Sequence, residues 1–118
     1  IVLEGTSAAD MPHEKDEADF PQMQKGVVVT ISDRTFFANR DFLSLVKKTA
    51  KDNKIKMQFK QPQIGGTDAG MIHVANGGIQ TMVFAVPSRY IHSPVCYASK
   101  SDLNGMIELA KKTINSLK

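Results

Sequence analysis

The sequence predicts an α/β domain in which helices pack on a mostly parallel or mixed sheet, in three α/β/α layers. Three observations predict this class. Val27–Ile31 is an unbroken run of β-branched residues, typical of a strand buried on both faces. Strand-like and helix-like patterns alternate along the chain, and a short polar or glycine-rich cluster follows each predicted strand.

The first half of the chain is predicted to contain two strands and one helix. Ile1–Leu3 is typical of the end of a buried strand, and the polar segment from about Ala9 to Lys25 is typical of a loop. After the strand Val27–Ile31, apolar residues recur with a helical period from about Asn39 to Asn53. Asn39 is a candidate cap for this helix.

A half-exposed strand and a short helix are predicted next. Between Ile55 and Phe59, apolar residues alternate with polar ones, as in a strand with one exposed face. Thr67 and Asp68 are good capping residues for a short helix that reaches about Asn76.

A fourth strand and a last helix complete the pattern. Ile79–Val86 is an apolar strand that Pro87 should stop, and the last helix should start at Ser101 or Asp102. One face of this helix is predicted to be buried, formed by Leu103, Met106, Ile107, Ala110, Ile114 and Leu117.

Residues able to do chemistry cluster after the predicted strands. In chain order the clusters are Glu4, then Asp33 and Arg34, then Thr67 and Asp68, then Arg89, Tyr90 and His92. If the strands are parallel, the clusters converge on one edge of the sheet, where such sheets bind ligands. Zinc-like ions take imidazole and carboxylate ligands, so Glu4 and His92 are candidate metal ligands. A catalytic zinc normally takes three protein ligands, which is one more than this pair provides.

Each of these residues also has an ordinary structural interpretation. His92 could be a loop histidine bonded to the backbone, and Glu4 a surface carboxylate at the end of a strand. Asp33 and Arg34 could form a structural ion pair, and Gly65–Asp68 could be a helix cap that binds no ligand. We interpret His73 as a packed helical histidine.

Composition excludes several classes of protein. The formal net charge is +3, and the lysines, including Lys60, are scattered without interleaved aromatic residues, so solvated surfaces are favoured over a nucleic-acid interface. No apolar stretch reaches the ~20 residues needed to span a membrane. The single cysteine, Cys96, excludes an internal disulfide and favours a reducing, cytoplasmic compartment, with Cys96 predicted to be a buried structural thiol.

Four ordered motifs carry a resemblance to a known family. They are Glu4-Gly5-Thr6-Ser7-Ala8-Ala9-Asp10-Met11-Pro12, Ile31-Ser32-Asp33-Arg34, Gly65-Gly66-Thr67-Asp68-Ala69-Gly70 and Pro87-Ser88-Arg89-Tyr90-Ile91-His92-Ser93-Pro94. In this order and at this spacing, the chain resembles the glutamyl, or deblocking, aminopeptidases. These are cobalt- or zinc-dependent exopeptidases, some of them labelled endoglucanase or cellulase, that often assemble into hollow tetrahedral dodecamers.

The resemblance implies a fold, a reaction and a set of site residues. Residues 1–118 would be the C-terminal part of a single zinc-peptidase-like catalytic domain whose upstream half is absent. Of two divalent metal ions, zinc or cobalt, one would be bound by Glu4 and the other by His92. Asp68 and Arg89 would shape the substrate pocket or hold its loops.

The general base and the remaining ligands lie upstream in this family, so we expect no catalytic residue in the chain and no activity from it alone. The whole enzyme would remove N-terminal residues from peptides by two-metal hydrolysis, as a homo-oligomer. Two other functions remain open, a non-catalytic α/β binding or structural module and an α/β domain that binds an anion without a metal.

Overall fold

A five-stranded sheet forms the centre of the protein. The structure, a computed structural model, describes residues 1–12, 21–60 and 62–117. In chain order the elements are β1 (Val2–Ser7), β2 (Val27–Thr30), α1 (Arg40–Asp52), β3 (Met57–Phe59), α2 (Ala69–Ile72), β4 (Val83–Arg89), β5 (Tyr97–Ala98) and α3 (Lys100–Asn115).

The sheet is mixed, which confirms the predicted α/β class. The strand order is β1-β4-β2-β3, and β5 pairs with the end of β4. β1 is parallel to β4 and β2 is parallel to β3, but β2 and β4 are antiparallel. The carboxyl ends of β1 and β4 therefore lie at one edge of the sheet and those of β2 and β3 at the other. The prediction that all four clusters converge on one edge because the strands are parallel is therefore wrong.

The two faces of the sheet are covered differently. On one face, α1 and α3 pack against β2 and β4 around a core that includes Val29, Val46, Phe84 and Leu109. On the other face, Val83 packs with Phe36 and with Ala69 of the four-residue helix α2. Val2 of β1 pairs with Val83 of β4 and packs on this second face. Glu4 is two residues along β1 from Val2, so its side chain lies on the same face.

The predicted bounds of β1 and β4 differ most from the structure, whereas those of β2 and β3 differ by one or two residues. β1 continues to Ser7, so Glu4 lies within the strand and not after it. β4 starts at Val83 and passes through Pro87 to Arg89. Proline is tolerated there because β2 pairs with β4 only as far as Ala85, and β5 only from Ser88, so no neighbour on that side requires an N–H from residue 87.

The predicted cap of α1 is confirmed. The side chain of Asn39 accepts hydrogen bonds from the N–H groups of Asp41 (2.9 Å) and Phe42 (3.0 Å). The predicted short helix to Asn76 is wrong beyond Ile72, because the chain continues as a separate 3-10 turn, Ala75–Gly77, in which Asn76 has a φ of 49°.

The start and the buried face of α3 also differ from the prediction. Ser99 is the N-cap residue, and the buried side includes Met106, Leu109 and Ala110. Four residues predicted to be buried are exposed by 38% or more: Leu103, Ile107, Ile114 and Leu117. The buried face of α3 is the one that its contacts with α1, β2 and β4 select.

Asp102 is not a helix cap but a link between α3 and the start of β2. Its carboxylate is buried and accepts hydrogen bonds from the N–H groups of Gln24 (2.6 Å) and Gly26 (3.0 Å). Gly26 has a φ of +104°, and a Cβ there would lie 2.2 Å from the carbonyl oxygen of Lys56. Only glycine fits this turn without a shift of the backbone.

Two residues have environments opposite to those predicted. Cys96 is exposed and is not a buried structural thiol, because it lies in the surface segment that joins β4 to β5. Lys60, which was grouped with the solvated lysines, is buried and retains 9% of its exposure.

Residues 13–20 of the predicted loop between Ala9 and Lys25 lie outside the described residues. In the part of the chain that the structure describes, no helix is long and apolar enough to cross a membrane.

Candidate functional site

A cleft of about 280 Å³ lies on the face of the sheet that α2 covers only in part. Its walls come from β1, from the segment that follows β3 and from the turn that follows β4. The lining includes Glu4, Lys60, Gly65, Thr67 and His92. The structure therefore brings the two candidate metal ligands, Glu4 and His92, into one cleft.

The carboxylate of Glu4 is oriented by the loop that precedes α2. Its Oε1 atom accepts a hydrogen bond from the backbone N–H of Asp68 at 3.2 Å. The contribution of Asp68 to the site is thus its backbone, while its side chain is exposed and makes no capping hydrogen bond with α2. This loop crosses the face of the sheet, which is how clusters from opposite edges come together.

A buried carboxylate, Asp33, holds that loop in place. Its Oδ1 accepts hydrogen bonds from the N–H (2.7 Å) and Oγ1 (2.8 Å) of Thr35, and its Oδ2 accepts one from Oγ1 of Thr67 (2.8 Å). Burial by itself raises the pKa of Asp33, but the hydrogen bonds from Thr35 and Thr67 and the charge of Lys60 outweigh it and leave the pKa below its ordinary value.

The alternative interpretation of Asp33 and Arg34 as a structural ion pair is not supported, because no such pair is formed among the described residues. The Asp33 carboxylate is hydrogen-bonded by the two threonines, and the described residues give Arg34 no ion pair. Arg34 instead helps to hold the same loop through its backbone, because its N–H donates to the carbonyl oxygen of Gly65 at 2.9 Å.

His92 lies in a strained turn beyond β4. Tyr90 has a φ of 59° and His92 a φ of 67°, in the left-handed region that residues other than glycine rarely adopt. The turn is closed by a hydrogen bond from the N–H of Ser93 to the carbonyl oxygen of Tyr90 at 3.1 Å. This geometry presents the exposed His92 side chain to the cleft.

His73 is a packed histidine, as we interpreted it from the sequence. Its Nδ1 lies 2.9 Å from the carbonyl oxygen of Ala69, and its ring meets the ring of Phe36 edge to face at 5.9 Å. The two histidines therefore have different surroundings, since His73 contacts its own helix and His92 borders the cleft.

Arg89 holds a loop rather than lining the cleft. Its Nε donates to Oδ1 of Asp10 at 2.9 Å, and Oδ2 of Asp10 accepts a hydrogen bond from the N–H of Met23 at 3.0 Å. The hydrogen bond from Arg89 lowers the pKa of Asp10 more than burial raises it. Arg89 thereby connects the end of β4 to the chain on both sides of residues 13–20.

Lys60 lines the cleft, and the sequence interpretation missed it. It is the first residue after β3, and its Nζ lies 3.6 Å from the position that a Cβ on Gly65 would take. Its place directly after a strand is the same feature that identified the other candidates, but it was obscured by the many lysines nearby in the sequence.

The donors in the cleft fit part of a metal site. Glu4 offers carboxylate oxygen and His92 imidazole nitrogen, the ligand types of zinc-like ions. Among the described residues, no group of three or more His, Cys, Asp and Glu side chains is arranged to hold an ion. The chain thus provides two suitable donors and not a complete set.

Comparisons with known proteins identify the family of the chain. Residues 1–109 match the M42 glutamyl aminopeptidase family. The chain is 31% identical over 111 residues to a lysyl aminopeptidase of Pyrococcus furiosus, covering 93% of this chain and 31% of that protein.

Solved structures show the same fold. A TET aminopeptidase from a marine-sediment Thaumarchaeota archaeon superposes with a TM-score of 0.88 at 32% identity, over 99% of this chain and 35% of that one. The structure described as the PhTET1-12s dodecamer superposes with a TM-score of 0.61 at 30% identity, over 82% of this chain and 27% of that one.

The chain spans about a third of the length of these relatives. The family match, however, covers nearly all of the chain. The chain therefore belongs to the M42 glutamyl aminopeptidase family, whose members are peptide hydrolases.

Proposed function

We propose that this chain supplies part of the active site of a metal-dependent aminopeptidase that removes N-terminal residues from peptides by two-metal hydrolysis. The observation that carries the proposal is that Glu4 and His92, 88 positions apart in the sequence, line one cleft of about 280 Å³. That volume lies just below the ~300–1,000 Å³ range of small-molecule sites, and it suits the end of a peptide better than a folded protein.

The two ligands have separate roles in this proposal. Glu4 would hold one ion with a carboxylate that the N–H of Asp68 orients, and His92 would hold the other from the strained turn after β4. Zinc or cobalt bound there would supply a Lewis acid and lower the pKa of a water molecule. The hydrogen bonds of Asp33 and the ion pair of Arg89 would keep the surrounding loops in place.

The remaining ligands and the general base would come from sequence outside this chain, as the one-third coverage of the relatives leads us to expect. Two donors bind a metal weakly without further ligands, so residues 1–118 alone should be inactive. We further propose a homo-oligomer, which the relative described as a dodecamer supports, and a cytoplasmic location, which the single cysteine favours.

The test is metal content and aminopeptidase activity of the longest natural form of the protein, before and after chelation. We expect about two ions per chain, and activity that chelation removes and that zinc or cobalt restores. A His92→Ala variant should lose one ion and most of its turnover, whereas His73→Ala should retain both. Unchanged metal content and turnover in His92→Ala would contradict the role of His92.

A non-catalytic α/β binding or structural module remains an alternative. The finding that favours it is that the described residues contain no complete set of three ligands. It predicts neither metal nor peptidase activity in the longest natural form, so the same experiment decides between the two functions.

A further inference from the structure

The turn that carries His92 is closed by the side chain of Ser93. The Oγ atom of Ser93 lies 2.5 Å from the carbonyl oxygen of Tyr90 and 2.7 Å from that of Val95, so its hydroxyl can donate to either or be shared between them. These two carbonyl groups lie on either side of His92 in the chain. The backbone N–H of Ser93 also donates to the Tyr90 carbonyl oxygen, at 3.1 Å. Ser93 therefore ties together the two ends of the segment that contains His92.

This segment needs such ties because its backbone is strained. Tyr90 and His92 have φ values of 59° and 67°, in the left-handed region that residues other than glycine rarely adopt. Residues in such conformations persist only where the surrounding contacts hold them there. Pro94 contributes, since a proline restricts the backbone of the residue before it, here Ser93. Without the hydroxyl of Ser93, the backbone of His92 should relax, and its side chain would leave the chain in a different direction.

The same turn packs on β1, the strand that contains Glu4. The Cδ1 atom of Ile91 lies 3.5 Å from the position that a Cβ on Gly5 would take, which is an ordinary van der Waals distance. Gly5 follows Glu4 in β1, and Ile91 precedes His92 in the turn. Packing therefore fixes the chain before His92 relative to Glu4, and the hydrogen bonds of Ser93 fix the chain after it.

We propose that Ser93 is a positioning residue for the metal site, whose hydroxyl holds His92 in the conformation that presents the imidazole to an ion. This inference rests on the proposed function, in which His92 is a metal ligand. Ser93 does not line the cleft, so it acts through the backbone of His92 and not by contact with the ion or the peptide. Metal sites depend on the groups that orient their ligands, and the loss of such a group typically costs ~10–100-fold in metal affinity.

A purely structural role of Ser93 predicts a different result. Ser93 is exposed, so the loss of its hydrogen bonds would lower stability slightly and leave metal affinity unchanged. Ser44 in α1 provides a matched control. It is also exposed, and its Oγ donates to the carbonyl oxygen of Arg40 at 2.9 Å, but α1 does not line the cleft. Ser44→Ala therefore removes the same kind of hydrogen bond without affecting the proposed site.

The test measures the affinity of the full-length protein for each of its two ions, by competition with a chelator during reloading with zinc or cobalt. We expect Ser93→Ala to bind one ion ~10–100-fold more weakly and the other about as tightly as the wild type. Ser93→Thr keeps the hydroxyl and should retain both affinities, as should Ser44→Ala. Wild-type affinity for both ions in Ser93→Ala would overturn the proposal, and so would an equal loss in Ser93→Thr.

The visible absorption of bound cobalt provides a second measurement that needs no turnover, because it depends on the ligands of the ion and on their geometry. Ser93→Ala should change the spectrum of the cobalt-loaded protein in the same direction as His92→Ala, but to a smaller extent. Ser44→Ala should leave the spectrum unchanged. Identical spectra of the wild type and of Ser93→Ala would contradict the proposal.

These measurements also separate this inference from the proposed function. A wild-type protein that binds no metal contradicts the proposed function and, with it, the role of Ser93. A wild-type protein with two ions, in which His92→Ala but not Ser93→Ala weakens metal binding, supports the proposed function and overturns the role of Ser93 alone. Thermal unfolding of all the variants shows that each is folded before its metal affinity is compared.

Discussion

The backbone N–H of Asp68 donates a hydrogen bond to Oε1 of Glu4 at 3.2 Å, although the two residues are 64 positions apart. Glu4 lies in an edge strand and Asp68 in a loop that begins beyond β3 on the other side of the sheet. The orientation of one proposed metal ligand therefore depends on the position of this loop, and the loop depends on the hydrogen bond between Thr67 and Asp33.

Replacing Thr67 with valine should loosen that loop. The variant keeps the shape of the side chain but removes the hydrogen bond to Oδ2 of Asp33, so unfolding free energy should fall by about 1 kcal/mol. Metal affinity of the full-length enzyme should fall by up to about tenfold, because Glu4 is held less firmly. Denaturant unfolding and competition with a metal chelator measure the two effects. Wild-type affinity together with reduced stability would show that the loop does not orient Glu4.

Replacing Thr113 with valine is the matched control and should have the opposite effect on stability. The Thr113 hydroxyl is fully buried in α3 and has no hydrogen-bond partner among the described residues. A buried hydroxyl without a hydrogen bond destabilises the folded protein, and valine lacks this hydroxyl. The free energy of unfolding should therefore stay the same or rise by about 1 kcal/mol. Metal affinity should not change. A loss of stability would indicate that the hydroxyl has a partner, such as an ordered water.

Two glycine substitutions should change the free energy of unfolding in opposite directions. In Gly26→Ala the new Cβ would meet the Lys56 carbonyl oxygen at 2.2 Å and the residue would have to keep a φ of +104°, so we expect a loss of more than about 2 kcal/mol. In Gly105→Ala, within α3, the nearest atom is 4.0 Å away, and a gain of about 0.5–1 kcal/mol is expected from helix propensity. Denaturant unfolding of both variants tests the prediction. Similar changes in unfolding free energy for the two variants would contradict the geometry of the turn at Gly26.

The ion pair of Asp10 with Arg89 predicts how stability depends on pH. The hydrogen bond from Arg89 lowers the pKa of Asp10 in the folded protein, so the unfolded state binds its proton at a higher pH, near the ~3.9 of a free aspartate. The contribution of this pair is complete above that pH and is lost as the pH falls towards the folded-state pKa. Urea unfolding between pH 6 and pH 3 should therefore show a smaller loss of stability in Asp10→Asn than in the wild type. Parallel curves would mean that the pair contributes nothing.

Local patterns in the sequence were sufficient for most elements. Four residues of the β-branched run, Val27–Thr30, form a buried strand because such side chains suit a sheet covered on both faces. Asn39 caps α1 because only the residues directly after it are involved. The predicted order of strands and helices is confirmed, with the two-residue strand β5 added. These features depend on interactions between residues near one another in the chain.

The wrong predictions concern partners that are distant in the chain. The buried face of α3 is selected by its contacts with α1, β2 and β4, so helical periodicity alone placed Leu103 and Ile114 in the core, although both are exposed. Pro87 stays within β4 because two neighbouring strands leave a gap beside it, which sequence position does not reveal. Lys60 was assigned to the solvent because nothing local indicates that a lysine is buried.

The sequence by itself determined the α/β class, the family and the identity of Glu4 and His92 as candidate ligands, since these follow from periodicity and from short motifs. Only the tertiary structure decided that both candidate ligands line one cleft, that the backbone of Asp68 donates to Glu4 and that Lys60 lines the same cleft. The reason is physical. A motif specifies which donors are present, but the distance between them is set by strand order and by the loops that cross the sheet, and both arise from contacts between distant parts of the chain.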